Sequence, residues 1–182
     1  MKNISIIMTM MVLFLISCNK ENDDIGNLPN NQRIYFQYDY INSAWGYQHS
    51  GWLVDSSGNV FCYNNPENWI DLDSLGYISS LEMDNNIMEI DSLCYTIDKN
   101  ELNNKLSLIY EASKGVISEP IHEMYDAGGA EFSGYLYNAE TKMYKQVLLK
   151  LTGDYRIDNS SPESFELHEW LKSIQIEISS SN

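Results

Sequence analysis

The sequence predicts one α+β domain in which an antiparallel sheet packs with two main helices. Three observations predict it. Strand-length segments alternate apolar and polar residues, Asp55-Ser56-Ser57-Gly58 is a strong hairpin turn, and two long segments place apolar residues at helical spacing behind clear N-caps. The order is strands, helices, strands, helix, with no repeat period and no internal linker, which favours an α+β domain with an antiparallel sheet.

Each element has a local reason. Residues 34–40 put Ile34, Phe36, Tyr38 and Tyr40 on one face, as a first strand would. Residues 46–54 and 59–63 flank the Asp55–Gly58 turn, where Asp opens the turn and Gly supplies a positive φ. Asn64-Asn65-Pro66-Glu67 reads as a cap with Pro in the first turn of a short helix ending near Ile70. Residues 97–115 form the clearest central helix: Asp98 caps it, Glu101 completes a capping box, and Leu102, Leu106, Ile109 and Tyr110 make the apolar stripe before Gly115 stops it. Strands at 131–137 and 143–152 follow, joined by Asn138-Ala139-Glu140-Thr141, with Val147, Leu149 and Leu151 expected on one face. The last helix starts at Ser160 or Ser161 with Pro162 in its first turn, and Leu167, Trp170, Leu171 and Ile174 supply its apolar face.

The domain is expected to span residues 34–182, behind two segments of another character. Residues 1–17 have the parts of a secretory signal, with Lys2 as the positive end and an apolar stretch at 4–16. At a rise of about 1.5 Å per residue that stretch covers roughly 20 Å, too short for a bilayer core of about 30 Å. Its end, Leu15-Ile16-Ser17-Cys18, resembles the lipobox of bacterial lipoproteins. The resemblance implies cleavage before Cys18, a diacylglycerol on its sulfur and acylation of the new amino group. The protein would then be held on a membrane through Cys18, far beyond the marginal binding of a single acyl chain. Residues 18–33 are polar, acid-rich and aperiodic, and read as a tether reaching roughly 20 Å. Asn19-Lys20-Glu21-Asn22-Asp23-Asp24 loosely resembles the signal that sends some lipoproteins to the outer face of the outer membrane; the other reading is a plain hydrophilic spacer. The expected location is therefore the cell envelope, in the outer membrane, with the periplasmic or surface-facing side left open.

A formal net charge of −15 makes nucleic acid and anionic lipid improbable partners and leaves cations and basic surfaces. Cys62 and Cys94 are the cysteines other than Cys18. In a compartment beyond the inner membrane they could pair, closing a loop of about thirty residues worth roughly 3 kcal/mol; the alternative is two buried thiols. Neither lies in a CxxC or beside a His, which argues against a catalytic thiolate.

Two segments suggest binding chemistry. Residues 71–82 resemble the calcium loop of the EF-hand family, with Asp71 and Asp73 at positions 1 and 3, Gly76 at the turn, Tyr77 at the carbonyl-donating position 7, Ile78 at 8 and Glu82 at the bidentate position 12. Leu75 departs from the pattern where an oxygen ligand belongs. The competing reading is a capping box, Ser79 with Glu82, that starts a short helix, leaving Asp71 and Asp73 in a polar loop. The second segment is Trp45-Gly46-Tyr47-Gln48-His49-Ser50-Gly51-Trp52. On a strand, Trp45, Tyr47 and His49 share one face and Trp52 lies on the other. Exposed, Trp45, Tyr47, His49 and Trp52 would make a platform for a ligand such as a sugar ring; buried, they are core. No histidine pair has metal-ligand spacing, and no GxSxG elbow supports Ser50. The many carboxylates could supply a glycosidase pair, but nothing in the sequence selects one.

These features favour a non-enzymatic binding or accessory protein of the envelope, with a glycan or a protein as partner. The alternatives are an envelope hydrolase of cell-wall or other polymers, using a carboxylate pair or His49, and an envelope inhibitor or immunity protein.

Overall fold

The structure, a computed structural model, describes residues 31–181. The predicted signal segment, Cys18 and residues 19–30 of the tether lie outside the described residues. Strands β1 (Ile34–Asn42), β2 (Gln48–Asp55) and β3 (Asn59–Asn64) form an antiparallel meander. The β2–β3 turn is the predicted one: Asp55 Oδ1 accepts the N–H groups of Ser57 and Asn59 at 2.8 and 2.9 Å, and Gly58 takes φ +89°. Then come β4 (Tyr77–Ser79), α1 (Ser80–Met88), β5 (Ser92–Thr96), α2 (Lys99–Ala112), β6 (Ile121–His122), β7 (Gly129–Asn138), β8 (Met143–Gly153), β9 (Tyr155–Asp158) and α3 (Pro162–Ser180). The strands form one sheet in the order β5-β3-β2-β1-β7-β8-β9-β6, with β4 paired to the start of β8; every pairing is antiparallel. This is the α+β architecture expected.

Both faces of the sheet are covered. On one side Phe36, Trp52, Val54, Val60, Phe132, Val147 and Leu149 pack under α2 and α3, which contribute Leu102, Ile109, Leu167, Trp170, Leu171 and Ile174. On the other, Ile34, Leu53, Tyr63, Tyr135 and Tyr144 pack under Ile78, Met83 and the partly buried Trp69, Ile70 and Leu72. A sheet buried on both faces leaves no solvated side for polar strand residues, so each one on it needs a partner.

Two irregularities move predicted residues to the opposite face. A bulge at Tyr35 brings Tyr35 and Phe36 into the α2/α3 core and sends Ile34 to the other one. A second bulge, at Leu149, sets Leu151 opposite Glu131 instead of in line with Val147 and Leu149. The expected short helix at 64–70 is absent: Asn65 takes φ +49°, its side chain accepts the His49 N–H at 2.8 Å, and the chain runs irregularly to β4. Asn tolerates that left-handed conformation because its short amide finds a local partner. Helix α2 begins at the predicted cap, with Asp98 accepting from Asn100 and Glu101 N–H. Glu101, however, does not close the capping box. Its carboxylate accepts the Trp170 indole N–H at 2.6 Å and so ties α2 to α3. Gln32, assigned to the tether, is buried and donates to the carbonyls of Ile34 and Tyr135 at 2.8 and 2.7 Å.

Cys62 and Cys94 form a disulfide with Cα atoms 5.8 Å apart, fastening edge strand β5 to β3. Among the described residues no helix is long and apolar enough to cross a membrane.

Candidate functional site

The polar residues of the central strands gather on the face covered by α1 and residues 65–76. Cross-strand register forms a row through Tyr63, Gly51, Asp39, Glu131 and Leu151, one residue each from β3, β2, β1, β7 and β8. Directly paired residues on antiparallel strands share a face and sit about 4.5–5.5 Å apart at Cα, so Asp39 and Glu131 are immediate neighbours. Gly51 lies between Tyr63 and Asp39, and a Cβ there would collide with the Tyr63 hydroxyl and the Tyr38 carbonyl. Its missing side chain is what lets the phenol of Tyr63 reach across the strand to Asp39.

Asp39 is held on one oxygen. Its Oδ1 accepts the Tyr63 hydroxyl at 2.5 Å and lies 2.8 Å from His49 Nε2, while no donor among the described residues contacts Oδ2. A chain of hydrogen bonds stands behind Tyr63: Tyr135 donates to Gln37 Oε1, and Gln37 Nε2 donates to the Tyr63 oxygen at 2.9 Å. Glu131 is held by neutral donors only, the Ser133 hydroxyl at 2.9 Å and the Gln146 amide. Burial pushes the Glu131 carboxyl above the ordinary glutamate value, and the nearby Asp39 charge pushes it further, against the two hydrogen bonds. Burial likewise raises the phenols of Tyr63 and Tyr135 well above the usual tyrosine range, keeping both as neutral donors.

Residues 69–72 form the wall that turns this patch into a cleft of about 240 Å³, lined among others by Gln37, Asp39, Trp69, Asp71, Glu131 and Gln146. Trp69 stacks at 4.2 Å on Tyr63 and meets His49 edge-on at 5.4 Å. The wall is strapped to α1. Asn86 accepts the Ile70 N–H and donates to the Ile70 carbonyl, both at 2.8 Å, and Glu89 accepts from Asn68 and the Glu67 N–H. Those contacts with Asn68, first its side-chain amide, hold the Glu89 carboxyl below its ordinary value. The floor is rigid sheet; the wall is fixed by side-chain amides.

No protein-family model, no curated protein and no solved structure matches this chain. The site therefore rests on its geometry alone.

The residues singled out from the sequence are distributed differently. Trp45 and Tyr47 stand 83% and 62% exposed in the β1–β2 connection, whereas His49 and Trp52 are 2% and 1% exposed. The four do not form one platform: Trp52 enters the α2/α3 core and donates its indole N–H to Gln175, while His49 faces the cleft side and holds Asp39. The opposite parity of His49 and Trp52 is as the strand pattern requires. In the calcium-loop segment, Asp73 Oδ1 accepts the N–H groups of Leu75 and Tyr77 in a tight turn, and Tyr77 opens β4. Glu82 serves the capping box of α1, accepting from Ser79 N–H and hydroxyl, and those bonds lower its carboxyl. With Asp73 and Glu82 engaged on backbone groups, Asp71, Asp73, Tyr77 and Glu82 do not converge as an EF-hand loop would, and no group of three or more His, Cys, Asp or Glu among the described residues could hold a metal. Asp71 lines the cleft instead.

Asp39, Glu131, Tyr63, Trp69, Gln37 and Gln146 were not picked out from the sequence. One signal was there: Gln37 and Asp39, and Glu131 and Ser133, are polar residues two apart within strands of strong apolar character. That pattern marks a solvated face in most sheets, and becomes a site signal only once both faces are known to be covered.

Proposed function

We propose that this chain is an envelope protein, anchored through Cys18, whose domain captures a carbohydrate in the cleft over Asp39 and Glu131. The observation that supports this reading is the cleft itself: an indole wall at Trp69 above a floor of carboxylates and amides. Sugar rings present an apolar C–H face and a rim of hydroxyls. An aromatic wall takes the first, and Asp39, Glu131, Gln37 and Gln146 orient the second. The volume suits about one sugar residue, so an end or a single branch of a longer glycan is the expected ligand. The strong net negative charge makes a neutral or amino sugar a better ligand than an anionic one.

A glycan array probed with the full-length protein, followed by calorimetry on the hits, tests this. Trp69→Ala is expected to weaken binding at least tenfold, while Trp45→Ala, in the exposed β1–β2 connection, leaves it unchanged. Silence across the array, or affinity indifferent to Trp69→Ala in a variant that melts normally, overturns the reading.

A further inference from the structure

The cleft has a feature that capture alone does not need, a pair of unlike carboxyl groups on opposed strands. Asp39 and Glu131 are direct Cα partners across β1 and β7, and both line the same cavity. Their surroundings push them towards different roles. Asp39 Oδ1 receives the Tyr63 hydroxyl and lies 2.8 Å from His49 Nε2, and its Oδ2 has no donor among the described residues. Glu131 is held by a serine hydroxyl and an amide, with no cationic partner among the described residues, and its carboxyl is raised by burial and then by Asp39. Two carboxyl groups that face one cavity from unlike surroundings can divide the work of acid and nucleophile on one bond.

We propose that Asp39 and Glu131 hydrolyse a glycosidic bond in this cleft, Glu131 as the acid and Asp39 as the nucleophile; this rests on the carbohydrate reading above. In the first step Asp39 Oδ2 attacks the anomeric carbon and forms a glycosyl ester. The glycosidic C–O bond breaks, and its electron pair leaves on the aglycone oxygen, which takes the Glu131 proton. In the second step a water oxygen attacks the same carbon and gives a proton to the Glu131 carboxylate. The ester bond breaks and its electrons return to Asp39. One water is consumed and two hydroxyl-bearing products leave. Direct cross-strand pairing keeps the two side chains close, which fits a retaining site, with carboxyls roughly 5–5.5 Å apart, better than an inverting one at roughly 6.5–9.5 Å. Tyr63 and His49 are positioning residues, fixing which Asp39 oxygen faces the substrate. Trp69 supports the sugar ring.

The full-length protein should be assayed against a panel of 4-nitrophenyl α- and β-glycosides, then incubated with 2,4-dinitrophenyl 2-deoxy-2-fluoroglycosides of the accepted sugar and analysed by mass spectrometry. The expected result is nitrophenol release, a bell-shaped pH profile, and a fluoroglycosyl adduct on the peptide containing Asp39. Glu131→Gln should lower turnover by about 10²–10⁴-fold and remove the alkaline limb of the profile, because only the protonated acid can donate. Asp39→Asn should abolish the adduct, and Trp45→Ala should change nothing. Thermal melts of each variant separate lost chemistry from lost folding, and Glu131→Asp, which keeps the acid, should recover part of the activity that Glu131→Gln lacks. Turnover that survives Asp39→Asn and Glu131→Gln, or an adduct on another residue, overturns the assignment. Trp69-dependent glycan binding with no turnover on any glycoside overturns hydrolysis and leaves capture standing. Absence of both binding and turnover removes both proposals together.

Discussion

Glu131 has an energetic consequence outside chemistry. The unfolded chain ionises a glutamate near 4.5, whereas burial and the Asp39 charge raise Glu131 in the fold. Between those two values the folded state keeps a proton that the unfolded state has released. Its contribution is therefore fully present below the unfolded value and is lost as pH rises through the folded one. Above that window the fold carries a buried charge held only by neutral donors. Glu131→Gln keeps an acceptor for Ser133 and Gln146 but cannot ionise. Melts from about pH 3.5 to pH 7.5 should show the variant gaining on the wild type as pH rises, with the higher Tm at neutral pH and the two curves converging near pH 4. A difference that stays flat across that range would sink the idea that Glu131 is strained by burial. Trp170 illustrates the other way a buried polar group is handled: its indole N–H has the Glu101 carboxylate as acceptor, a bond from α3 to α2.

At the level of elements, the sequence was informative where signals were local and strong. The caps at Asp98 and Ser161, Pro162 in the first turn of α3, the Asp55–Gly58 hairpin and the paired strands β7 and β8 were all readable, because each depends on residues within a few positions of one another. Strands β4, β5, β6 and β9 were not. They are two to five residues long, and most of their residues are partly or fully exposed, so no alternation marks them. The bulges at Tyr35 and Leu149 were equally hidden, since a bulge is a property of the pairing and not of one strand. Edge strand β5 is the element whose place depends most on a covalent link. The Cys62–Cys94 disulfide spans a sequence separation of 32, for which loop closure gives about 3–4 kcal/mol by the chain-entropy estimate. Reduction, or the double change Cys62→Ala with Cys94→Ala, should lower Tm by roughly 10 °C in a domain of this size. Hydrogen exchange should show the β5 amides losing protection before those of β1 and β7. Equal protection of β5 with and without the bond would mean that its ladder to β3 suffices alone.

For the whole molecule, the cleft and the proposed anchor depend on the sequence in opposite ways. The cleft depends on Asp39 and Glu131 meeting across β1 and β7, on Gly51 leaving room for Tyr63, and on residues 69–72 closing over the sheet's second face. None of these is a sequence neighbour of the others, and a carboxylate in a chain this acidic does not stand out. The Cys18 motif needs no fold to be read, because the machinery it resembles a substrate for acts on a linear segment. Gln32 is already bonded to the sheet through the Ile34 and Tyr135 carbonyls, and residues 19–31 stand between Cys18 and it in the sequence. Acylation and folding should therefore be independent. Expressed from its full sequence in a Gram-negative host fed labelled palmitate, the wild-type protein should lose residues 1–17 and carry label at its new N-terminus. Cys18→Ala should carry none, while its domain keeps the same melting transition and the same Cys62–Cys94 bond. Membrane fractionation alone is a poorer measure, because an uncleaved apolar segment at 4–16 would hold the variant on the inner membrane without any lipid. A mature wild-type protein that begins elsewhere than Cys18, or begins there without acyl chains, would remove the anchor and with it the envelope address of the cleft.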